Sequence, residues 1–220
     1  MSSSTTGSAS VGPPSASPRE RNRRGQGSRL RAEIVAAAAA LLDETGNEEA
    51  VTLRAVARRI GISAPSIYAH FADRQAILLA VVQEAFAELG DQLGTVASEP
   101  AADPVAELYD VCDAYLAFAA GRPQRYRVMF GGLWNATAAL ESASVTSDEI
   151  AALGQDVLAV LVGHLEACVS AGRSTSDDPG ADAVALWLGL HGLAHQRVVS
   201  AAFPWPSDIR ERLVAPLAHL

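Results

Sequence analysis

The sequence predicts an all-α protein of about nine helices. Its apolar residues are dominated by Ala and Leu, and aromatic residues make up only 5% of the chain. No stretch shows the sustained alternation of apolar and polar residues, bounded by hairpin turns, that indicates strands. With 220 residues, of which 49% are hydrophobic, the chain can bury a core, and this length fits two helical units of unequal size.

The first 28 residues are predicted to form a disordered arm that contains arginines. They begin with MSSSTTGSASVGPPSASP, which has neither an early basic cluster nor the apolar segment of a secretory signal. Further along, six arginines between residues 19 and 31 oppose the single acid Glu20. Arg21, Arg23 and Arg24 can enter a minor groove or lie along phosphates, and the alternative is a solvated tail.

A head is expected over residues 29–75. A long helix from Leu30 to Gly46 opens it, and residues 52–74 then predict two short helices joined by a tight turn. Thr52 can cap the first short helix, and Gly61 supplies the left-handed position that ends it. This pattern predicts a helix-turn-helix.

The second short helix carries the chemistry expected of a DNA-reading element. It is predicted to run from Ser63 to Phe71, with Ser63 as its cap and Pro65 in the first turn, where a missing N–H does no harm. Ile67 and Phe71 are expected to face the core. The residues left partly outward are Ala64, Ser66, Tyr68 and Ala69. Small and hydroxyl-bearing side chains let such a helix approach base edges in a major groove.

This segment resembles the DNA-binding head of the TetR family of bacterial transcription regulators, which carries a Gly, a small turn residue, a Tyr-x-His-Phe segment and a basic residue. The matching residues here are Gly61, Ser63, Tyr68, His70, Phe71 and Arg74. The resemblance extends from Leu30 to Leu79. Arg74 stands where the family usually has Lys, which keeps a cation for a phosphate but changes its geometry.

The resemblance implies a DNA contact role for each matching position. Positions that often hold the DNA backbone are Thr52, Ser63, Tyr68, His70 and Arg74. Positions near bases are Arg54, Ala64, Pro65 and Ser66. Arg54 is the strongest candidate for direct base reading, because a guanidinium bound to guanine is worth about 1–3 kcal/mol of discrimination. Ala64 and Ala69 offer only apolar contact, which leaves open a helical interaction protein with non-specific or no DNA binding.

The formal net charge of −8 is distributed unevenly. Residues 1–90 contain ten arginines against nine acids, whereas residues 91–220 contain seven against sixteen, so the two parts carry +1 and −9. A basic arm followed by a helix-turn-helix is the electrostatic pattern expected for a DNA-binding protein.

Residues 76–220 are expected to form a helical bundle for effector binding and dimerisation. A helix is predicted from Asp103-Pro104 to Gly121, and a short one ends at Gly131-Gly132. Ser147 is expected to cap a long helix reaching about Ala171. A loop covers residues 172–180, and the last two helices are separated by Pro204 and Pro206, the second starting near Ser207.

A second resemblance lies in the segment ALWLGLHGLAH, which looks like the Trp-His-Gly pattern of one TetR subgroup and agrees with the upstream RYRVMFGG. It implies a dimerisation and effector domain but no particular ligand. A pocket wall is one hypothesis for its aromatic stripe, with candidate residues Tyr115, Phe118, Met129, Trp134, Trp187 and His191. Core or interface packing is the commoner role of such stripes. Paired zinc ligands at His191 and His195 are disfavoured, because Gly192 replaces the Glu of the zinc-protease pattern.

Dimerisation is expected through the last two long helices, whose apolar content fits a four-helix interface. The residues proposed for it are Ala183, Leu186, Leu190, Leu193 and Val198. The resemblance then implies a homodimer, expected to be a repressor, that binds a pseudo-palindromic operator and is released by a small-molecule effector. The helix from about Arg74 to Leu93 is expected to transmit the effector's motion to the head.

Other classes of protein have little support in the sequence. The longest apolar run, Ile34 to Leu42, is far below the roughly 20 residues of a membrane span. The chain has no phosphate-binding glycine loop and no nucleophile elbow, so no enzyme and no cofactor are predicted. Cys112 and Cys168 lack metal-ligand spacing and are interpreted as reduced packing residues, which predicts a cytoplasmic protein.

Overall fold

The computed structural model describes residues 26–97, 103–132 and 134–220. Within these ranges the protein consists of eleven α-helices and one short 3-10 helix, with no strand, which confirms the all-α prediction. The first four helices are α1 (Gln26–Thr45), α2 (Leu53–Ile60), α3 (Ala64–Ile67) and α4 (Arg74–Ala97). The others are α5 (Pro104–Gly121), α6 (Pro123–Phe130), α7 (Ala136–Ala139), α8 (Ser147–Ala151), α9 (Gln155–Ser170), α10 (Pro179–Val199) and α11 (Ile209–Leu217).

A head and a body, each with its own apolar core, share α4. The head core joins α1, α2 and α3 to the first half of α4, where Ile77, Val81 and Val82 are fully or almost fully buried. The body core begins lower on α4, at Leu89, and continues through α5, α9, α10 and α11. The two turns of α4 that follow the predicted domain boundary at residue 75 complete the head core. We call residues 26–82 the head and the described residues after them the body.

Helix α6 contributes to both cores. Its Val128 is 2% exposed and packs in the head core, whereas Tyr126, two residues earlier, packs in the body core. Residues two apart on a helix point in different directions, so a single helix can serve two cores. Head and body are thus joined by α6 as well as by the continuous helix α4.

The predicted helix ends are partly confirmed. Thr52 accepts a hydrogen bond from the Ala55 amide at 3.1 Å, and Gly61 ends α2 with φ +69°. Asp103 caps α5 by accepting from the Val105 amide at 3.1 Å. The helix α6 ends before Gly131, as predicted.

Other predicted bounds are wrong. The helix α1 starts at Gln26, so the last three residues assigned to the disordered arm are helical. Residues 1–25, which include Arg21, Arg23 and Arg24, lie outside the described residues. The α-helical part of α3 ends at Ile67 rather than Phe71, because the amides of His70 and Phe71 both bond to the Ile67 carbonyl and form a turn there.

The long helix predicted from Ser147 is capped by a different residue and is broken. Thr146 is the cap, and it forms a capping box with Glu149. The chain then turns at Gly154, whose φ is +75°, before α9 begins. The short helix α7 was not predicted at all. These two differences account for eleven helices instead of about nine.

One helical stretch in the described chain, Ser147–Ser170, is long and apolar enough to cross a membrane by length and composition alone, with a mean hydropathy of 1.4 over its best window. Core helices of soluble proteins pass the same test. The stretch is interrupted at Gly154, and Val157, Leu161 and Leu165 face the body core. This indication of a membrane span is therefore weak.

Candidate DNA-binding surface and regulatory region

The helix-turn-helix presents a mixed polar and apolar surface. Arg54 is exposed near the start of α2, and Tyr68, just after α3, is 62% exposed. The other exposed candidates are Thr52, Ser63 and Pro65, while Ala64, Ser66, His70 and Arg74 are half-buried. An exposed guanidinium and an exposed phenol beside small side chains can contact phosphates and base edges of a duplex.

Two candidates on this surface differ from their predicted roles. Ser63 stands at the N-cap position of α3 but makes no side-chain capping bond; its hydroxyl instead lies 2.8 Å from that of Ser66. Arg74, expected to hold a phosphate, lies 3.7 Å from the Glu48 carboxylate and is one-third exposed. A phosphate would have to compete with Glu48 for this cation.

Some of the remaining arginines of the described head make contacts within the protein itself. Arg59 donates two hydrogen bonds to the Glu44 carboxylate, at 2.6 and 2.8 Å. Arg31 stacks over the Phe71 ring at 4.7 Å, so it braces α1 against the end of the recognition segment. Arg58 is exposed on α2. Arg54 and Arg58 are thus the arginines of α2 best placed to meet DNA.

The body is hydrogen-bonded to the head at the start of α4 through Asp73. Its carboxylate accepts hydrogen bonds from the hydroxyls of Ser142 at 2.5 Å and Ser144 at 2.7 Å, and it also accepts from the Ala76 amide. Burial raises the pKa of Asp73, but these hydrogen bonds outweigh burial and hold the pKa below its usual value. We call Asp73, Ser142 and Ser144 the Asp73 clamp.

A second contact reinforces the clamp. The Trp134 indole donates to the Gln75 side-chain carbonyl at 3.1 Å. A small apolar cluster beneath it joins Leu79 of α4 to Ala139 and Val145, which are both buried. The segment that contains α7 is therefore fastened to the first two turns of α4 by polar and apolar contacts together.

An aromatic cluster lies where α6 meets α10. Its members are Tyr115, Tyr126, Phe130, Trp187 and His191. The Tyr126 hydroxyl lies 2.6 Å from His191 Nδ1. Burial raises the pKa of Tyr126, so its hydroxyl keeps its proton. Burial, followed by nearby His195, lowers the pKa of His191, which favours a neutral ring whose Nδ1 accepts a hydrogen bond from the Tyr126 hydroxyl.

The structure brings together only some of the predicted pocket residues. Trp187 and His191 share the cluster with Tyr115, which is completely buried. Phe118 is also buried, under the Arg122 guanidinium, and Met129 packs against the body core. Trp134 lies apart from this group, because it packs on α4 beside the Asp73 clamp.

Sequence reasoning missed two members of the cluster and the polar clamp. Tyr126 and Phe130 are four residues apart on α6, so their helical spacing is a signal that could have placed them on one face. Ser142 and Ser144 lie about 70 positions from Asp73, and no local pattern indicates their pairing.

The apolar face that α10 leaves exposed differs from the predicted interface. Ala183, Leu186 and Leu190 are fully buried in the subunit's own core, and Leu193 is 5% exposed. The exposed apolar residues in this part of the chain are Val184, Leu188, Val198, Val199 and Phe203. Of the five residues proposed for dimerisation, only Val198 is available to a second subunit.

The cysteines and histidines form no metal site in the described residues, which contain no group of three or more metal-ligating side chains. His191 uses Nδ1 in its contact with Tyr126, and His195 is exposed. Cys112 and Cys168 are free and buried, and burial raises the pKa of the Cys112 thiol to about 12. Both are unreactive packing residues.

Two family models match the sequence of this chain. The model described as bacterial regulatory proteins, tetR family, matches residues 34–81. The model described as tetracyclin repressor-like, C-terminal domain, matches residues 108–220, which is more than half of the chain. The chain belongs to the TetR family of bacterial DNA-binding regulators. Its resemblance to the Trp-His-Gly subgroup stays a prediction.

Solved structures share the fold at low sequence identity. A protein of unknown function from Rhodococcus sp. RHA1 is 23% identical, with a TM-score of 0.68, and the match covers 86% of this chain and 91% of that one. A tetR-family regulatory protein from Rhodococcus RHA1 is 22% identical, with a TM-score of 0.60 and coverage of 86% and 95%. The transcriptional regulator FadR from Bacillus subtilis, in complex with stearoyl-CoA, is 15% identical, with a TM-score of 0.64 and coverage of 85% and 97%. No curated protein matches the sequence.

Proposed function

We propose that this regulator is a cytoplasmic homodimeric repressor, without catalytic activity, that binds a pseudo-palindromic operator and is released by a small molecule bound in the body. The observation that supports it most directly is the exposed pair Arg54 and Tyr68 on either side of the Gly61 turn. Two heads related by a two-fold axis place their α3 segments in successive major grooves about 34–36 Å apart.

Dimerisation is proposed through the exposed apolar face of α10. Val184, Leu188, Val198 and Val199 are each at least 38% exposed, which is unusual for large apolar side chains on one helix. A two-fold axis pairs this face with the same face of a second subunit, which buries these side chains.

Release by an effector is proposed to act through the contacts between body and head. The Asp73 clamp, the bond between Trp134 and Gln75, and Val128 of α6 all fasten the body to the start of α4. A ligand that prefers a body arrangement with these contacts altered must weaken operator binding, and operator must weaken ligand binding by the same factor. FadR from Bacillus subtilis, which has this fold, holds stearoyl-CoA.

The cluster of Tyr126, Phe130, Trp187 and His191 is proposed as the inner wall of the effector site. Trp187 and His191 remain half-exposed, so a ligand can reach them, whereas Tyr115 and Phe118 support them from the core. A mostly apolar wall with a few polar groups is the usual composition of a small-molecule site.

The test is selection of bound sites from a random duplex library with full-length protein at near-physiological salt. We expect a pseudo-palindrome whose affinity falls at least about thirtyfold in Arg54→Ala, since the dimer loses two guanidinium–guanine pairs that contribute about 1–3 kcal/mol each. Tyr68→Ala is expected to weaken all sites, and Tyr68→Phe separates the hydroxyl from the ring.

Arg173→Ala serves as the charge-matched control, because Arg173 pairs with Asp103 on the body surface, away from the helix-turn-helix. If no motif is enriched, or if Arg173→Ala weakens binding as much as Arg54→Ala, the helix-turn-helix is not the reading element. The rival helical interaction protein then gains support.

The terminal arginines have a separate test. Deleting residues 1–24 should reduce operator affinity and flatten its dependence on salt concentration, because fewer counterions are released from the duplex. An unchanged salt dependence would show that Arg21, Arg23 and Arg24 belong to a solvated tail that does not contact the DNA.

A further inference from the structure

A groove on the body lies between α4 and the turn that joins α8 to α9. Its volume is about 360 Å³, which falls within the range of about 300–1,000 Å³ typical of small-molecule sites. None of the predicted pocket residues lines it. It is therefore a different surface from the aromatic cluster, although the two are neighbours.

One phenyl ring separates the groove from that cluster. Phe86 lines the groove and meets Phe130 of the cluster edge to face, with ring centroids 5.5 Å apart. The opposite wall is apolar as well, formed by Leu153, Val157 and Val160. The groove thus offers an apolar slot that an aromatic ring lines on one side.

The polar groups of this groove are acidic. Asp91 and Asp156 both line it and are exposed, and none of its described lining residues is basic. In the described part of the chain neither carboxylate forms an ion pair. Residues 91–220 carry a net charge of −9, so the surrounding field also favours cations.

We propose that this groove is a second effector site, beside the one proposed at the aromatic cluster, and that it binds an organic cation with an apolar body, such as an arylalkylamine. The inference rests on the proposed effector control and names the site and the chemical class. The apolar body packs against Phe86, Val157 and Val160, and the ammonium group lies between Asp91 and Asp156 at the rim. Anionic ligands are disfavoured by the same two carboxylates.

The groove is connected to the head by the chain itself. Its turn at Gly154 follows α8, and the segment before α8 carries Ser142 and Ser144 of the Asp73 clamp. An added Cβ on Gly154 would lie 2.8 Å from Phe86, so the turn and the ring are in tight contact. A ligand that displaces Phe86 therefore pushes on the segment that holds Asp73.

The test uses three probes that differ only in the terminal group: 4-phenylbutylamine, 4-phenylbutanol and 4-phenylbutanoate. Their binding to full-length protein is measured by titration calorimetry. We expect the amine to bind about fivefold more tightly than the alcohol, from two partly exposed charge pairs, and the carboxylate to bind most weakly. Added salt should weaken the amine alone.

Three variants localise the binding, and a fourth serves as the control. Asp91→Asn and Asp156→Asn should each reduce the advantage of the amine while leaving the alcohol unchanged, and Asp177→Asn, an exposed acid in a distant loop, should change neither. Ala87→Trp should weaken the binding of all three probes, because Ala87 lines the groove and an indole at this position can occupy it. Thermal unfolding of each variant confirms that it folds.

Operator binding is measured separately without any probe, so that loss of the proposed function is seen on its own. Equal affinities for amine and alcohol, tightest binding of 4-phenylbutanoate, or no binding of any probe at millimolar concentration would each overturn the inference even if operator binding is intact. Release of operator by the amine in the wild type, lost in Asp156→Asn, would support it.

Discussion

Gly61 in the head and Gly154 in the body have nearly the same backbone conformation, with φ of +69° and +75°, but very different surroundings. An added Cβ on Gly61 would meet nothing within 4 Å, whereas one on Gly154 would lie 2.8 Å from Phe86. The turn of the head is thus specified by local conformation alone. The turn of the body is specified by a ring that lies far away in the sequence.

The largest expected effect follows from this difference. Gly61→Ala should reduce the free energy of unfolding by about 1 kcal/mol, which is the cost of a left-handed alanine. Gly154→Ala should reduce it by about 3 kcal/mol, because steric overlap with Phe86 adds to the same conformational cost. Denaturant unfolding of the two variants measures both values, and equal losses would mean that the body turn relaxes freely.

A second prediction compares two tyrosines. Tyr126→Phe should cost about 1–2 kcal/mol of unfolding free energy, because His191 Nδ1 loses its partner in a partly buried site. Tyr68→Phe should cost almost nothing, since Tyr68 is exposed. If both substitutions are neutral by thermal or chemical unfolding, the bond between Tyr126 and His191 adds no net stability.

A third prediction concerns the clamp between the two regions. Replacing both Ser142 and Ser144 by Ala should reduce the free energy of unfolding by about 1 kcal/mol, because Asp73 keeps its bond to the Ala76 amide but loses two hydroxyl donors. Ser170→Ala, at an exposed position on α9, is the control. A double variant as stable as this control would show that water replaces the hydroxyls without loss.

The smallest expected effect concerns the pH dependence of stability, which differs between the histidines of the body and Asp73. Burial lowers the pKa of both His164 and His191 in the body, so the unfolded chain binds more protons there than the folded one. Their contribution to stability is present above the ordinary histidine pKa of about 6.5 and is lost as the pH falls below it. The pKa of Asp73 is also lower in the folded protein. Its contribution to stability is therefore present above the ordinary aspartate pKa and is lost only in more acidic solution.

Unfolding free energies measured at intervals between pH 7.5 and 5.5 test whether the histidines lose their contribution to stability before Asp73 does. We expect stability to fall over this interval, and His164→Gln and His191→Gln each to flatten the slope. Asp73→Asn should leave the slope unchanged while lowering stability throughout. A wild-type slope of zero would mean that these histidines have ordinary pKa values in the folded protein.

The head was largely predictable because its signals are local. Thr52 caps α2 through a residue three positions away, and Gly61 needs only its own backbone conformation. The same logic found Asp103 at the start of α5. Where several local signals competed, prediction was less accurate: Thr146 rather than Ser147 caps α8, because Thr146 and Glu149 together form the capping box.

The body could be predicted only in outline. The break at Gly154 and the placement of Trp134 depend on contacts with α4, from which both are separated by more than 50 residues. Helical periodicity placed Leu186 and Leu190 on one apolar face of α10. It could not show whether that face packs in the subunit's own core or in an interface with a second subunit. The candidate DNA surface came from a motif, whereas the groove at Phe86 arises from packing that no single segment encodes.

Because Val128 of α6 lies in the head core and Tyr126 lies in the body core, the two regions are not interchangeable modules. A hybrid regulator that joins this head to the body of a distant relative would leave a hole in the head core beside α4, unless the relative's α6 supplied a side chain of the same size. Engineers who wish to retarget the protein should therefore alter Arg54 and the residues around Tyr68 in place, or transplant α6 together with the head.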